Sequence, residues 1–144
     1  MFIEEIPLEK VAIIIRSPAS SSLMFALNFA LNAATLGLKT RVFFLDWAAE
    51  KLRRDKIDEL ELPPEVAERR EWFLQRVKGT GFPGIHKMIE EMKTLGDVKI
   101  YVCSLASDIW GLNKENMIPE VDEVRGTLAF MAEDLEDADL VLTF

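Results

Sequence analysis

The chain has 144 residues, 17 basic and 25 acidic side chains, one Cys, one His and a formal net charge of −8. A domain of this length buries roughly two thirds of its unfolded surface and needs no staple to hold a core. A single Cys excludes an internal disulfide, and the four Cys/His ligands of a structural zinc site are not available, so no metal and no cofactor are expected. Any nucleophile paired with an imidazole would have to use His86. The acidic balance, with no basic stripe to offset it, argues against nucleic acid as a partner.

Residues 1–10 carry three Glu before the first Lys, the reverse of a secretory leader. The most apolar stretch, 23–38, is interrupted by Asn28 and Asn32 and is shorter than the about 20 residues that span a bilayer. A cytoplasmic protein without membrane insertion is expected.

Residues 11–15 form a continuous β-branched apolar run ending before Ser17-Pro18, which suits a strand covered on both faces. A helix is predicted to start among Ser20, Ser21 and Ser22, which are good N-cap residues, and to end at Gly37. Its polar positions Ser21, Asn28, Asn32 and Thr35 make one narrow stripe. Met24, Phe25, Leu27, Phe29 and Leu31 cover most of the remaining circumference. Such a helix is wider in its apolar face than a surface helix needs, which points to the sheet on one side and, on another, either a second subunit or the chain's own loops.

A second strand is predicted over 40–45, ending at Asp46, and charged helices over 47–60 and 65–78 on either side of Pro63-Pro64. A helix over 84–95 is followed by a strand over 98–102 that runs into Cys103, and 104–108 reads as the start of a short helix. Residues 125–135 read as helical, and 140–144 close the chain as a strand. Strands alternating with helices imply a parallel sheet in an α/β layer fold. No repeat or linker interrupts it, so 1–144 reads as one domain with a charged helical insertion around 48–82.

Three features carry possible chemistry. Residues 79–84 spell G-x-G-x-x-G, but a dinucleotide site requires a buried strand before the glycines. Here a charged helix precedes them and Pro83 removes a backbone donor, so an interhelical loop is expected. His86 lies one turn from Glu90 and beside Glu91, two ligands from one helix and too few for a metal, so a partly exposed helix histidine is expected. Cys103 differs, because the strand delivers it to the sheet's C-terminal edge, before a helix whose amide groups and dipole favour thiolate. Ligands of open parallel sheets bind at that edge. The loop 17–22 and the turn at Asp46 and Trp47 are expected to open on the same side. A lone Cys at a strand end is also commonly a small buried apolar residue.

A single thiolate without a dedicated His can accept a sulfane sulfur as a persulfide, or reduce a peroxide and leave a sulfenic acid for an external thiol. Acyl transfer is disfavoured for want of a base beside the nucleophile.

From about residue 84 onward the chain resembles the DsrE/DsrF-like family, in its peroxiredoxin-like, DsrE-related branch. The resemblance is carried by Leu95-Gly96, by Tyr101-Val102-Cys103 followed by 104–111 (SLASDIWG), by 112–118 (LNKENMI), by Gly126 and by Ala138-Asp139 before the last strand. The front half agrees through the strand and helix of 11–37 and Phe43-Phe44-Leu45-Asp46-Trp47. The chain departs from that branch in its charged stretch 48–82, and from the sulfur-relay subunits in lacking an Arg-Gly after the Cys. Ile100 stands where a true peroxiredoxin needs Thr.

The resemblance implies a flavodoxin-like three-layer α/β/α domain with a mostly parallel sheet of about five strands, assembled as a homo-oligomer. It also implies a part in cytoplasmic sulfur trafficking, of the sulfurtransferase or thiol-oxidoreductase type, with Cys103 as the sulfur-accepting residue. Ser17, Ser20, Trp47, Ser104 and Ser107 are then the expected lining of the substrate pocket. Donor and acceptor would be proteins or small sulfane-sulfur compounds. The alternative is a non-catalytic oligomeric binding module in which Cys103 is structural.

Overall fold

In the computed structural model, which describes residues 7–144, all strand pairs are parallel and the sheet runs in the order β4-β3-β2-β1-β5. The strands are β1 (Lys10–Ile15), β2 (Lys39–Phe44), β3 (Val98–Cys103), β4 (Glu123–Arg125) and β5 (Leu140–Thr143). Helix α1 (Ser20–Thr35) links β1 to β2. The β2–β3 crossover carries α2 (Asp46–Glu50), a 3-10 segment (Pro64–Arg69), α3 (Arg70–Gly79) and α4 (Ile85–Leu95). Beyond β3 come α5 (Ser104–Trp110) and α6 (Thr127–Phe130), and α6 widens into a π turn over Met131–Leu135. This is the layered α/β/α architecture of the flavodoxin type.

The topology explains which helix covers which face. From β1 to β2 to β3 the chain steps in one direction, and right-handed crossovers place α1 and α4 together on one face, where they pack on each other. From β4 to β5 the chain crosses the whole sheet in the opposite direction, so the same handedness puts α6 on the other face. Val11, Ile13, Ile15, Val42, Phe44, Ile100 and Val102 alternate onto the α1/α4 face and are all buried. The register pairs Ile14 with Phe43, Phe43 with Tyr101 and Cys103 with Arg125, which sets these residues on the α6 face.

That second face is closed by one aromatic plug and one carboxylate. Phe130 stacks on Phe43 at 4.2 Å between ring centres and meets Tyr101 edge-on at 6.3 Å. Four residues on, buried Asp134 receives Arg125 Nη1 at 2.7 Å, with Lys10 Nζ at 3.6 Å and Arg41 Nε at 3.7 Å. Burial pushes the Tyr101 phenol up, and the Arg125 guanidinium lies 4.1 Å over its ring.

Several boundaries differ from the sequence reading. Helix α1 begins where expected, but its N-cap is Ala19 with no side-chain cap. The Ser20 hydroxyl instead accepts from Glu61 N at 2.8 Å, so the loop 59–61 has taken the oxygen that a cap would use. The predicted helix 47–60 stops at Glu50. Arg54 N donates to Asn116 O and Ile118 N to Leu52 O, and an antiparallel bridge pairs Arg53 with Met117. These contacts use backbone groups that a longer helix would keep for itself. The helix expected over 125–135 begins at Thr127, and Arg125, its expected first residue, ends the edge strand β4 instead. Residues 79–84 are the expected interhelical loop, with Gly81 and Gly84 at φ of 74° and 110°.

Carboxylates at the sheet's N-terminal edge tie strands together. Asp97 takes Arg41 through two nitrogens at 3.0 and 3.2 Å, and Asp139 accepts the backbone N–H groups of Glu9 and Lys10. These bonds hold both carboxyls below the ordinary 3.8. A carboxyl whose folded value is depressed contributes stability that is complete above its unfolded value and is lost as pH falls through the folded one. The thermal unfolding midpoint will therefore hold from pH 7 to about 4 and fall steeply below it, and Asp97→Asn will flatten the fall. A midpoint unchanged down to pH 2 contradicts this.

Candidate functional site around Cys103

Strand β3 ends at Cys103, which is also the N-cap residue of α5, so the thiol sits where a strand end meets the free amide groups of a helix start. The residue is only 6 % exposed. Cys103 nevertheless lines a cavity of about 320 Å³ at the C-terminal edge of the sheet. Leu105, Ala106, Ile109 and Trp110 of α5 form one wall, and Arg16, Leu45 and Asp46, from the ends of β1 and β2, form another. Thr127, at the start of α6, closes the site with its hydroxyl 4.0 Å from Sγ. Leu105 and Ile109 are largely exposed, so the mouth is apolar.

A second hollow adjoins the first. It lies between the ends of β1 and β5, where the chain reverses its direction across the sheet, and is lined by Arg16, Ser17, Asp46, Trp47 and Phe144. Arg16 and Asp46 are common to both hollows and pair at 3.4 Å. Trp47 and Trp110 stand between them with ring centres 4.5 Å apart, and Trp110 Nε1 donates to the Asp46 carbonyl at 2.9 Å. Arg125, the register partner of Cys103, does not line the cavity. Its guanidinium turns back over Tyr101 to Glu123, Glu133 and Asp134.

The backbone at Asp46 is in the left-handed region, with φ of 56°, and among the described residues no other non-glycine has positive φ. Asp tolerates this conformation better than most residues, and a β-branched side chain tolerates it poorly. Asp46→Val will therefore cost about 1–2 kcal/mol in urea unfolding, whereas Asp46→Gly will be near neutral. Equal effects of the two would show that φ is not what selects the residue.

The expected lining residues divide into those near the thiol and those held elsewhere. Ser17 and Trp47 belong to the adjoining hollow, with the Ser17 hydroxyl accepting from Ala19 N at 3.3 Å. Ser104 follows Cys103 and is exposed. Ser107 is buried and donates to Leu112 O, and Ser20 is bonded to the loop 59–61 and lines a separate apolar cleft under α3 with Phe73 and Phe82. Ser20 and Ser107 thus spend their hydroxyls on backbone groups away from the sulfur. Asp46 was expected at this edge of the sheet though not named as lining, and Arg16, Trp110 and Thr127 were not expected there. Arg16 and Asp46 are the charged residues that directly follow, or nearly follow, apolar strand runs, a signal present in the sequence.

The model of the DsrE/DsrF-like family matches residues 9–144. The chain belongs to this family. No curated protein matches it. Seven solved chains match its fold, among them the crystal structure of the ychN protein from E. coli. That structure superposes with a TM-score of 0.66 at 22 % identity, over 95 % of this chain and 100 % of the other. In this DsrE/DsrF-like chain, Cys103 is the single thiol and stands at the sheet edge where parallel α/β folds place their ligands.

Proposed function

We propose that the protein carries sulfane sulfur on Cys103 in the cytoplasm, where a reducing environment keeps a lone thiol available. The observation that supports this most is the placement of the only thiol against a cavity at the C-terminal edge of the sheet. The Cys103 thiolate attacks the outer sulfur of a persulfide donor, RS–SH. A new S–S bond forms, the donor's S–S bond breaks, and the donor departs as RS⁻, leaving Cys103–S–SH. A thiolate of the acceptor then attacks that outer sulfur, and Cys103 leaves as thiolate. Both steps exchange one S–S bond for another and need no external oxidant and no dedicated general base. Since the chain has one Cys, the sulfur has to leave to another molecule. Donor and acceptor are small sulfane-sulfur compounds or proteins.

The protein works as a homo-oligomer in this reading. Phe25 and Phe29 on α1 are 60 % and 51 % exposed, and Phe29 meets Phe144 at 5.5 Å, making an apolar patch. Sedimentation at micromolar concentration will give a species larger than a monomer; a clean monomer contradicts the assembly.

The burial of Cys103 favours the second reading, a binding module with a structural thiol. Labelling separates the two. In the folded protein a small thiol reagent will modify Cys103 completely, entering through the apolar mouth. A thiol that reacts only after denaturation contradicts the carrier reading.

A further inference from the structure

The sequence leaves His86 with Glu90 on one helix, two ligands and no third. The fold supplies a third from 34 residues further along, because the crossover between β3 and β4 runs beside α4 and brings Glu120 against the imidazole. His86 Nε2 is 2.5 Å from Glu120 Oε1 and 3.6 Å from Glu90 Oε1, and the three ligand atoms all lie within 4.8 Å of one another. We propose that His86, Glu90 and Glu120 form a binding site for a divalent transition-metal ion of the Zn²⁺ class.

One ring nitrogen cannot satisfy both carboxylates. Nε2 carries at most one hydrogen, yet it faces two carboxylate oxygens. A single N–H serves one of them, and the other oxygen is left turned towards a ring nitrogen and a second anion. A divalent cation between them satisfies all three atoms. The neighbouring lysines do not take this place. Lys87 approaches the other oxygen of Glu90, Oε2, at 3.5 Å, and leaves Oε1 to the site. Lys93 is engaged by Asp122 and by the backbone carbonyl of Glu120, not its carboxylate.

Ligand bonds near 2.0–2.1 Å in a tetrahedral site set ligand atoms about 3.3 Å apart. Glu90 already stands close to that separation, and Glu120 has to withdraw by under about 1 Å. The imidazole and two carboxylates suit Zn²⁺, Ni²⁺ or Co²⁺ better than Mg²⁺ or Ca²⁺, which prefer all-oxygen shells. Glu90 is partly exposed, so the remaining coordination position opens to water.

The ligands are held by elements with other anchors. Asp58 accepts from His86 N at the start of α4, and Asp122, two residues after Glu120, accepts from Ile100 N of β3. The ion would therefore tie α4 to the chain leading into the edge strand β4. Cys103 lies on the opposite, α6 face, so the site is separate from the thiol.

The test is a titration of the full, tag-free chain with Zn²⁺ alone, by calorimetry and by thermal unfolding. Cys103→Ser, His86→Ala and Glu90→Gln are titrated in parallel. The expected result is one ion per chain, a raised unfolding midpoint, unchanged binding in Cys103→Ser, and a loss of at least about tenfold in affinity in the other two. Glu90 is exposed enough that its amide variant keeps the fold, so its loss of binding would report the ligand itself. Absence of binding, full affinity in His86→Ala or Glu90→Gln, or loss of binding in Cys103→Ser would each overturn the site.

Discussion

Asp134→Ala will lower the unfolding free energy by about 3–5 kcal/mol, the effect expected when one partner of a buried ionic cluster is removed and the others are left in place. Asp134 is 3 % exposed and stands among Lys10, Arg41 and Arg125, whose side chains are themselves mostly covered. Lys10 keeps Asp137, and Arg41 keeps Asp97. Arg125 loses its shortest contact, and among the described residues its Nε is already a buried donor with no partner. The damage reaches the candidate site, because Asp134 and Phe130 fix the segment whose first residue, Thr127, closes the cavity over the sulfur. Urea unfolding monitored by Trp fluorescence measures the loss. A change under about 1 kcal/mol would show that the three cations are held by their surface partners instead.

Cys103→Ala will abolish sulfur uptake while leaving stability within about 1 kcal/mol of the parent. Cys103 lines a cavity and, among the described residues, its sulfur has one polar contact, Thr127 Oγ1 at 4.0 Å, so its removal strands no buried partner there. Function and fold separate at this residue, which makes it a clean probe. If the variant unfolds as the Asp134 variant does, the thiol is a packing element and the structural reading is correct. If uptake persists, sulfur binds elsewhere in the chain.

The strands that face helices on both sides were legible because burial makes them continuous apolar runs. Residues 11–15 and 98–102 each gain one residue at one end, and 40–45 moves as a whole by one residue to Lys39–Phe44. Strand β4 was not legible: Glu123-Val124-Arg125 is a short, largely exposed edge, and its charges serve Asp134 and the neighbouring turn rather than an alternating pattern. Missing β4 also hid Thr127, whose place over Cys103 depends on where that strand ends. The segment 47–60 misled for a different reason. Ala48, Ala49, Leu52 and Ile57 are buried as a helix would bury them, but hydrogen bonds to 116–118 end the helix, and no local pattern announces a partner more than 60 residues away.

The site was legible to the same extent. One buried strand running into one Cys was enough to place the thiol at the sheet edge. Arg16 and Asp46 required knowing that β1 and β2 end side by side, which the register supplies by pairing Ile15 with Phe44. Ser20 shows the converse. Its position after β1 suggested the pocket, and the loop 59–61 draws its hydroxyl away.

The carrier account is tested most directly by the mass of the intact protein after incubation with inorganic polysulfide and removal of the excess. The account predicts added sulfur on the peptide that contains Cys103, released by a reducing thiol and absent from Cys103→Ala. An unchanged mass in the folded parent protein, at polysulfide concentrations that load free cysteine, would contradict it.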